Sequence, residues 1–295
     1  MQRYRFTFVT ALLTLVFAGA AFAADDGGFA NPRALVSAAQ LEKMIADNTV
    51  KVIDARGSAK YLRGHIKGAI NISISDLDVE RNGVPMMFPD AKKFAQAVSK
   101  NGITNDDFVV IYDDVGGHQA ARLAWLFMQF GHFKVALLDG AWGAWKGETS
   151  QTKPAALTPS VFKTKKGGNL VASIGKVKAA LGKPKFVILD TRALGEYKGE
   201  VILGSEKGGR IPGAVHVDWE DNMNADKTVK SAAELKKMYA AKGVTPDKTI
   251  IAYCYGGYRA SFSAYVLKEL LGYPNVTMYD GSWLEWDSAG APIEK

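Results

Sequence analysis

Thr249-Ile250-Ile251-Ala252-Tyr253-Cys254-Tyr255-Gly256-Gly257-Tyr258-Arg259-Ala260 is the stretch on which the reading of this chain turns. Thr249 to Tyr253 is a short apolar run of the kind that forms a strand buried on both faces of a parallel sheet. From Ala260 to Leu271, Phe262, Tyr265, Val266 and Leu270 recur at helical spacing, and Gly272 and Pro274 end the helix. Cys254 therefore stands at the carboxyl end of a strand and just ahead of a helix, where open α/β sheets bind their ligands. Gly256 and Gly257 let the backbone between them turn sharply and aim successive N–H groups at one point, an anion nest at a helix N-terminus. Those amides, the helix end and Arg259 favour a thiolate at Cys254 over a thiol.

Outward from this stretch, the chain repeats itself. Gly102-Ile103-Thr104-Asn105-Asp106 answers Gly243-Val244-Thr245-Pro246-Asp247, and Asp139-Gly140-Ala141-Trp142 answers Asp280-Gly281-Ser282-Trp283, both at an offset of 141 residues. Trp145 then falls on Trp286. With other offsets, Asp54-Ala55-Arg56 answers Asp190-Thr191-Arg192, and His65-Ile66-Lys67-Gly68-Ala69 answers Arg210-Ile211-Pro212-Gly213-Ala214; the second copy carries extra loop residues between these blocks. So long a period is a duplicated domain rather than a solenoid unit. The expected class is α/β, two tandem domains each with a parallel-sheet core flanked by helices: residues 31–150, a linker over 151–168 rich in Thr, Pro, Lys and Gly, and residues 169–295. Ser231-Ala232-Ala233-Glu234 is a capping box that opens a helix closed by Gly243. The four tryptophans of the repeat, 142, 145, 283 and 286, read as core or domain-contact residues. Because Asp54 with Arg56 and Asp190 with Arg192 occur in both copies, they read as structural ion pairs.

The first 23 residues have the three parts of a secretory leader: basic Gln2-Arg3-Tyr4-Arg5, an apolar run from Phe6 to Phe17, and Ala21-Phe22-Ala23 as a small-x-small cleavage site. The apolar run is shorter than the ~20 residues a bilayer span requires. The expectation is an exported chain, periplasmic or secreted, with no membrane association after cleavage. Removing Arg3 and Arg5 with the leader lowers the formal charge of +7 by two, to +5. The remaining basic residues are interspersed with 30 acidic ones, and the densest cluster, Lys163, Lys165 and Lys166, lies in the linker, so nucleic acid is not an expected partner. A single Cys excludes an internal disulfide. His65, His118, His132 and His216 show no metal-ligand spacing, and neither metal nor organic cofactor is expected.

Taken together, the six-residue loop Cys254 to Arg259, the two Asp-x-Arg blocks, the segment Gly209-Arg210-Ile211-Pro212-Gly213-Ala214-Val215 and the Asp280-Gly281-x-Trp283 ending resemble the rhodanese sulfurtransferases, in the tandem form whose second domain alone is active. The resemblance runs from about Asn31 to the end of the chain. It implies that Cys254 takes the outer sulfur of a small anionic donor, thiosulfate or 3-mercaptopyruvate, as a persulfide and passes it to cyanide or a thiol acceptor. Tyr255, Gly256, Gly257 and Tyr258 would line the persulfide, Arg259 would bind the anionic donor, and Arg210 lies near the loop in the family's fold, where it can assist. Tyr255 matches neither the small residue of mercaptopyruvate enzymes nor the basic one of thiosulfate enzymes. Arg259 suits the doubly charged donor, which favours thiosulfate.

The first copy fails as an enzyme. Ungapped alignment sets Asp113 opposite Cys254 and His118 opposite Arg259, whereas a shift of one residue would bring Asp114 there and align the glycine pairs; either way a carboxylate replaces the thiol. A structural domain forming one wall of the cleft is what the resemblance implies for it. Two competing functions use the same scaffold. Cdc25-like phosphatases and arsenate reductases carry five residues between Cys and Arg, against the four of this loop, a ring better suited to one sulfur atom than to a tetrahedral oxyanion. A noncatalytic binding module or sulfur carrier is the other. For the leader, N-terminal sequencing of exported protein is expected to start at Ala24; an exported chain that retains Met1 contradicts that reading.

Overall fold

The computed structural model of the chain describes residues 28–152 and 157–295; the leader expected over residues 1–23 lies outside the described residues. Two five-stranded parallel sheets form the scaffold. In the first the spatial order is Leu35–Val36, Val135–Leu138, Val109–Tyr112, Lys51–Asp54 and Ile70–Asn71. The second repeats that order with Val171–Ala172, Val276–Tyr279, Thr249–Tyr253, Phe186–Asp190 and Val215–His216. In each sheet the middle strand, Val109–Tyr112 or Thr249–Tyr253, is apolar and buried along nearly its whole length, which is why these runs lack the alternation of a half-exposed strand.

The helices that follow these middle strands, His118–Gln129 and Tyr258–Tyr265, pack on each other across the join between domains. One hydrophobic cluster runs through both halves, from Phe94, Trp125 and Phe127 to Leu235, Phe262 and Tyr265. The two domains therefore share a core. The join is also closed reciprocally by the repeated Asp-Gly-x-Trp blocks. Asp139 accepts the Val229 N–H at 2.8 Å, and Asp280 accepts the Phe88 N–H at 2.8 Å, each reaching into the opposite domain. Residues 88 and 229 are themselves 141 apart.

The linker is held more tightly than its composition suggests. Phe162 is buried, edge-on to Phe94 at 5.8 Å and to Phe127 at 5.9 Å, so its described part is pinned to the first domain's core. No helix among the described residues is long and apolar enough to cross a membrane.

The Asp-x-Arg blocks form the same closed module twice. Arg192 makes a bidentate pair with Asp190 at 3.0 and 2.6 Å, donates to Gly209 O at 2.7 Å, and stacks on Trp283 at 4.5 Å; Tyr253 OH donates to the same Asp190. Arg56, Asp54, Gly64 O, Trp142 and Tyr112 repeat every contact in the first domain. Both pairs are buried, and each carboxylate is met by its arginine and by a tyrosine hydroxyl. Arg192→Ala would leave the Asp190 carboxylate buried without its cation, for which urea unfolding is expected to show a loss of ~3–5 kcal/mol. Arg56→Ala should cost a similar amount, and a loss below ~1 kcal/mol in either would contradict the module's structural role.

Candidate active site

Cys254 follows the last residue of its strand and is 1% exposed. Its own backbone is fixed by the Asp280-Gly281-Ser282-Trp283 block. The Cys254 N–H donates to Ser282 Oγ at 3.2 Å and the Trp283 N–H donates to Cys254 O at 3.0 Å. Ser282 in turn donates to Tyr279 O at 2.8 Å and holds a left-handed φ of 49°. A non-glycine residue in that region is strained, and here the strain aims a hydroxyl at the nucleophile's amide. Gly257, at φ 84°, caps the helix Tyr258–Tyr265, whose first N–H groups have no intrahelical partners and face the loop.

The first domain displays what such a loop holds. The Trp142 N–H donates to Asp113 O at 2.7 Å, as Trp283 does to Cys254, so Asp113 rather than Asp114 occupies the position of the thiol. Its carboxylate accepts four main-chain N–H groups: Val115 at 3.0 Å and Gly117 at 2.8 Å on Oδ1, Gln119 at 2.8 Å and Ala120 at 3.0 Å on Oδ2. The cradle is an anion site filled by its own chain.

The two loops differ by one residue. The helices start at His118 and Tyr258, capped by Gly117 and Gly257, so five residues separate Asp113 from Gln119 and four separate Cys254 from Arg259. Gln119, not His118, is therefore the counterpart of Arg259, a correction to the ungapped alignment. The missing residue reappears within the second helix as a π-turn over Val266–Leu270, where the Leu271 N–H reaches Val266 O while the matching Phe130 N–H reaches Leu126 O. A π-turn inserts one residue without breaking the helix, which restores the 141-residue offset beyond it.

Arg259 is brought to the loop but is already engaged. Its two terminal nitrogens donate to the Glu196 carboxylate at 2.6 and 2.9 Å. Burial opposes the Arg259 cation, yet the Glu196 hydrogen bond and the charges of Cys254 and Glu196 outweigh it and hold the guanidinium above its ordinary value. Arg259 thus supplies positive charge near the sulfur while Glu196 fixes its direction. Glu196 carries no motif in the sequence, and only the fold brings it to Arg259. Tyr255 is half-buried, its hydroxyl against Gly204 in the extra loop of the second copy. The Tyr258 hydroxyl donates to Asp78 of the first domain, and burial with that carboxylate raises it, so it stays protonated.

Arg210 is placed elsewhere. Its guanidinium pairs with Glu294, donates to Lys295 O at 3.0 Å and lies on the Tyr197 ring at 4.6 Å, which ties down the C-terminus. Its other neighbours in the duplicated block, not its charge, serve the loop: the Ile211 N–H donates to Tyr253 OH at 3.1 Å at the end of the Cys254 strand.

The first domain supplies one wall. Met86 Sδ would stand 2.8 Å from a Cβ at position 256, so a side chain there would displace it. A cavity of about 430 Å³ opens beside the loop, lined by Gly57, Ser75, Asp78, Met86, Gln119 and Tyr258 among others. His118 lies edge-on to Trp219 at 4.9 Å; burial depresses its imidazole, with Asp113 opposing and Arg259 reinforcing, which leaves it neutral near pH 7.

A buried thiol in an amide-lined loop, facing a second copy whose loop is closed by a carboxylate, now stands beside known proteins. Residues 37–148 and 173–289 each match the family described as "Rhodanese-like domain". The chain belongs to the rhodanese-like family. A thiosulfate sulfurtransferase of Corynebacterium glutamicum is 34% identical, over 90% of this chain and 92% of its own. The sulfur carrier protein TtuD of Thermus thermophilus is also 34% identical, over 91% of this chain and 99% of its own. Among solved structures, an anaerobic ergothioneine biosynthesis enzyme from Chlorobium limicola superposes with a TM-score of 0.81 at 26% identity, over 90% of this chain and 71% of that one. The rhodanese chain is thus a sulfurtransferase-family protein in which both copies keep the loop and one keeps the thiol.

If the first rhodanese loop is an anion cradle, Asp113→Ala leaves four N–H groups without their acceptor. Urea unfolding is expected to show a loss of at least ~1–3 kcal/mol, partly recovered by sulfate binding to the emptied amides. Sulfate raises the stability of most proteins, so the comparison is with the parent. Equal gains in variant and parent would contradict a cradle.

Proposed function

We propose that this protein moves a sulfane sulfur from thiosulfate or 3-mercaptopyruvate to cyanide or a thiol through a persulfide on Cys254. The observation that carries the reading is the carboxylate of Asp113. In an Asp side chain the anionic oxygen lies two bonds beyond Cβ; in a cysteine persulfide the anionic terminal sulfur lies two bonds beyond Cβ as well. Where the first loop seats an oxygen on main-chain N–H groups, the second, one residue shorter, has a thiol that can grow by one sulfur atom. Preorganised N–H groups aimed at developing charge are the largest single contribution in many active sites, and removing one such donor typically costs ~10²-fold or more.

In the first half-reaction the Cys254 thiolate attacks the outer sulfur of thiosulfate. The new S–S bond forms as the donor's S–S bond breaks, and sulfite leaves with the electron pair. With 3-mercaptopyruvate the broken bond is C–S, and the carbon takes up the thiol proton to give pyruvate. In the second half-reaction cyanide or a thiolate attacks the terminal sulfur, and Cys254 leaves as the thiolate, a ping-pong course that requires no external oxidant. Arg259, held by Glu196, favours the anionic forms at each stage. The doubly charged donor gains more from that cation, which is the ground for preferring thiosulfate. The structure of the ergothioneine enzyme in a cysteine-persulfide state supports the same intermediate by kinship, and the sulfur-carrier relative supports a protein thiol as one class of acceptor. The leader-like residues 1–23 support an exported setting. The four-residue spacing from Cys254 to Arg259 argues against phosphatase and arsenate reductase chemistry.

Steady-state assay of the two donors with cyanide as acceptor, paired with intact mass after donor treatment, tests the reading. The expected results are thiocyanate formation, greater kcat/KM with thiosulfate, a gain of ~32 Da on Cys254 for one sulfur atom, and loss of all three in Cys254→Ser. Thiocyanate formation by Cys254→Ser at the parental rate would overturn it.

A further inference from the structure

The strongest unused feature lies in the domain without the thiol. Arg122 projects from the middle of the helix His118–Gln129, amid Ala120, Ala121, Leu123, Ala124 and Trp125, and its side chain is 0% exposed. Three sides of the guanidinium are taken. Nε and one terminal nitrogen meet Asp78 at 3.4 and 3.3 Å, and that nitrogen also donates to Met86 O and to Asp280 at 3.2 Å. The planar group is sandwiched between the Phe88 ring at 4.3 Å and the Tyr258 ring at 4.6 Å. The remaining corner, Nη1, is buried without a hydrogen-bond partner. It abuts Gly257, where any Cβ would collide with it.

A buried guanidinium nitrogen without a partner is costly, and an active site is one place where such a cost is retained. The carboxylates hold the other end of the group, so the uncompensated corner of the cation is turned toward the Cys254 loop. The acidic groups facing Arg122 are Asp280, Asp78 and Cys254, with the Tyr258 hydroxyl beside them. Burial opposes its cation, and these groups together hold it above its ordinary value.

We propose that Arg122 is a positioning residue for sulfur transfer, a cation contributed by the first domain that backs the Cys254 loop at Gly257 and stabilises the anionic sulfur seated there. The domain without the thiol therefore contributes a cation to the site. Gly257 is required twice, for its φ of 84° and to admit Arg122. The inference rests on Cys254 working as an anionic sulfur, as in the reading above.

The test uses Cys254 as its own reporter, since it is the only Cys in the chain. The purified full-length protein is alkylated with iodoacetate, which is anionic, and with iodoacetamide, which is neutral, and the ratio of the two rates is compared between variants. The ratio cancels changes in thiolate fraction and access that affect both reagents. Loss of one nearby buried cation is expected to lower it about fivefold or more, in Arg122→Met and, as a guard against leaving Asp280 unpaired, in Arg122→Met with Asp280→Asn. Arg122→Lys, which keeps the charge on a single nitrogen and cannot meet the carboxylates and Gly257 at once, should fall between parent and Met and serves where the Met variants do not fold. A folded variant of either kind with the parental ratio overturns the proposal. So does a folded variant in which the ratio falls but the persulfide mass and the thiosulfate kcat and KM are all unchanged. A parent that loads no sulfur from any donor sinks the sulfur-transfer reading instead, while the ratio still reports on Arg122.

Discussion

Main-chain N–H groups that converge on one point at the start of a buried helix must find an acceptor, and the rest of this molecule is arranged around that requirement. Strand, sharp glycine turn and helix make the convergence unavoidable wherever they occur in succession. The first domain meets the demand within its own chain, with a carboxylate on four amides. The second shortens the turn by one residue and puts a thiol at the same point, and in the proposed cycle the acceptor is a sulfur whose length and charge change. A single fold thereby yields one loop closed by its own carboxylate and one that presents a thiol. The difference lies in Asp113 against Cys254, Gln119 against Arg259 and one residue of loop length.

Placing the working loop at the join explains why the locked domain is kept. Phe88 and Val229 each give an N–H to an aspartate of the opposite copy, Met86 covers Gly256, and Tyr258 reaches Asp78. Of these contacts, those of Met86 and Asp78 also form the first domain's wall beside the Cys254 loop. Separation of the domains would expose a continuous apolar surface and dismantle the wall at once. The same seam carries an unusual density of buried charge, with Arg122, Asp78 and Asp280 on one side of the loop and Arg259 with Glu196 on the other. Buried ion pairs contribute little net stability, so their concentration around one thiol points to chemistry as the reason for them.

Much of this was legible in the chain itself. The duplication, the α/β class and the position of Cys254 follow from strand-like runs, glycine pairs and repeated blocks, because those features report local backbone geometry. What escaped is of two kinds. The one-residue difference between the loops is hidden because the π-turn over Val266–Leu270 returns the residue downstream, and an ungapped comparison sees the same offset on both sides. That is why His118 rather than Gln119 aligns with Arg259. Partners that meet only in the folded state were the second kind. Nothing local tells that Arg259 will face Glu196, that Arg210 will turn to Glu294 or that Phe162 will anchor the linker. Arg122 did leave a trace, a lone cation within an otherwise apolar helical run, which is the pattern of a buried charge with a task.

The most direct test of the central claim is positional: a high-resolution crystal structure of the protein after treatment with thiosulfate. The account predicts a second sulfur on Cys254, pointing into the loop, within ~3.2–3.8 Å of the N–H groups at the start of the helix Tyr258–Tyr265, and overlying a carboxylate oxygen of Asp113 when the two domains are superposed. A terminal sulfur directed away from those amides, or a Cys254 that remains a bare thiol in protein competent to turn over donor, would contradict it.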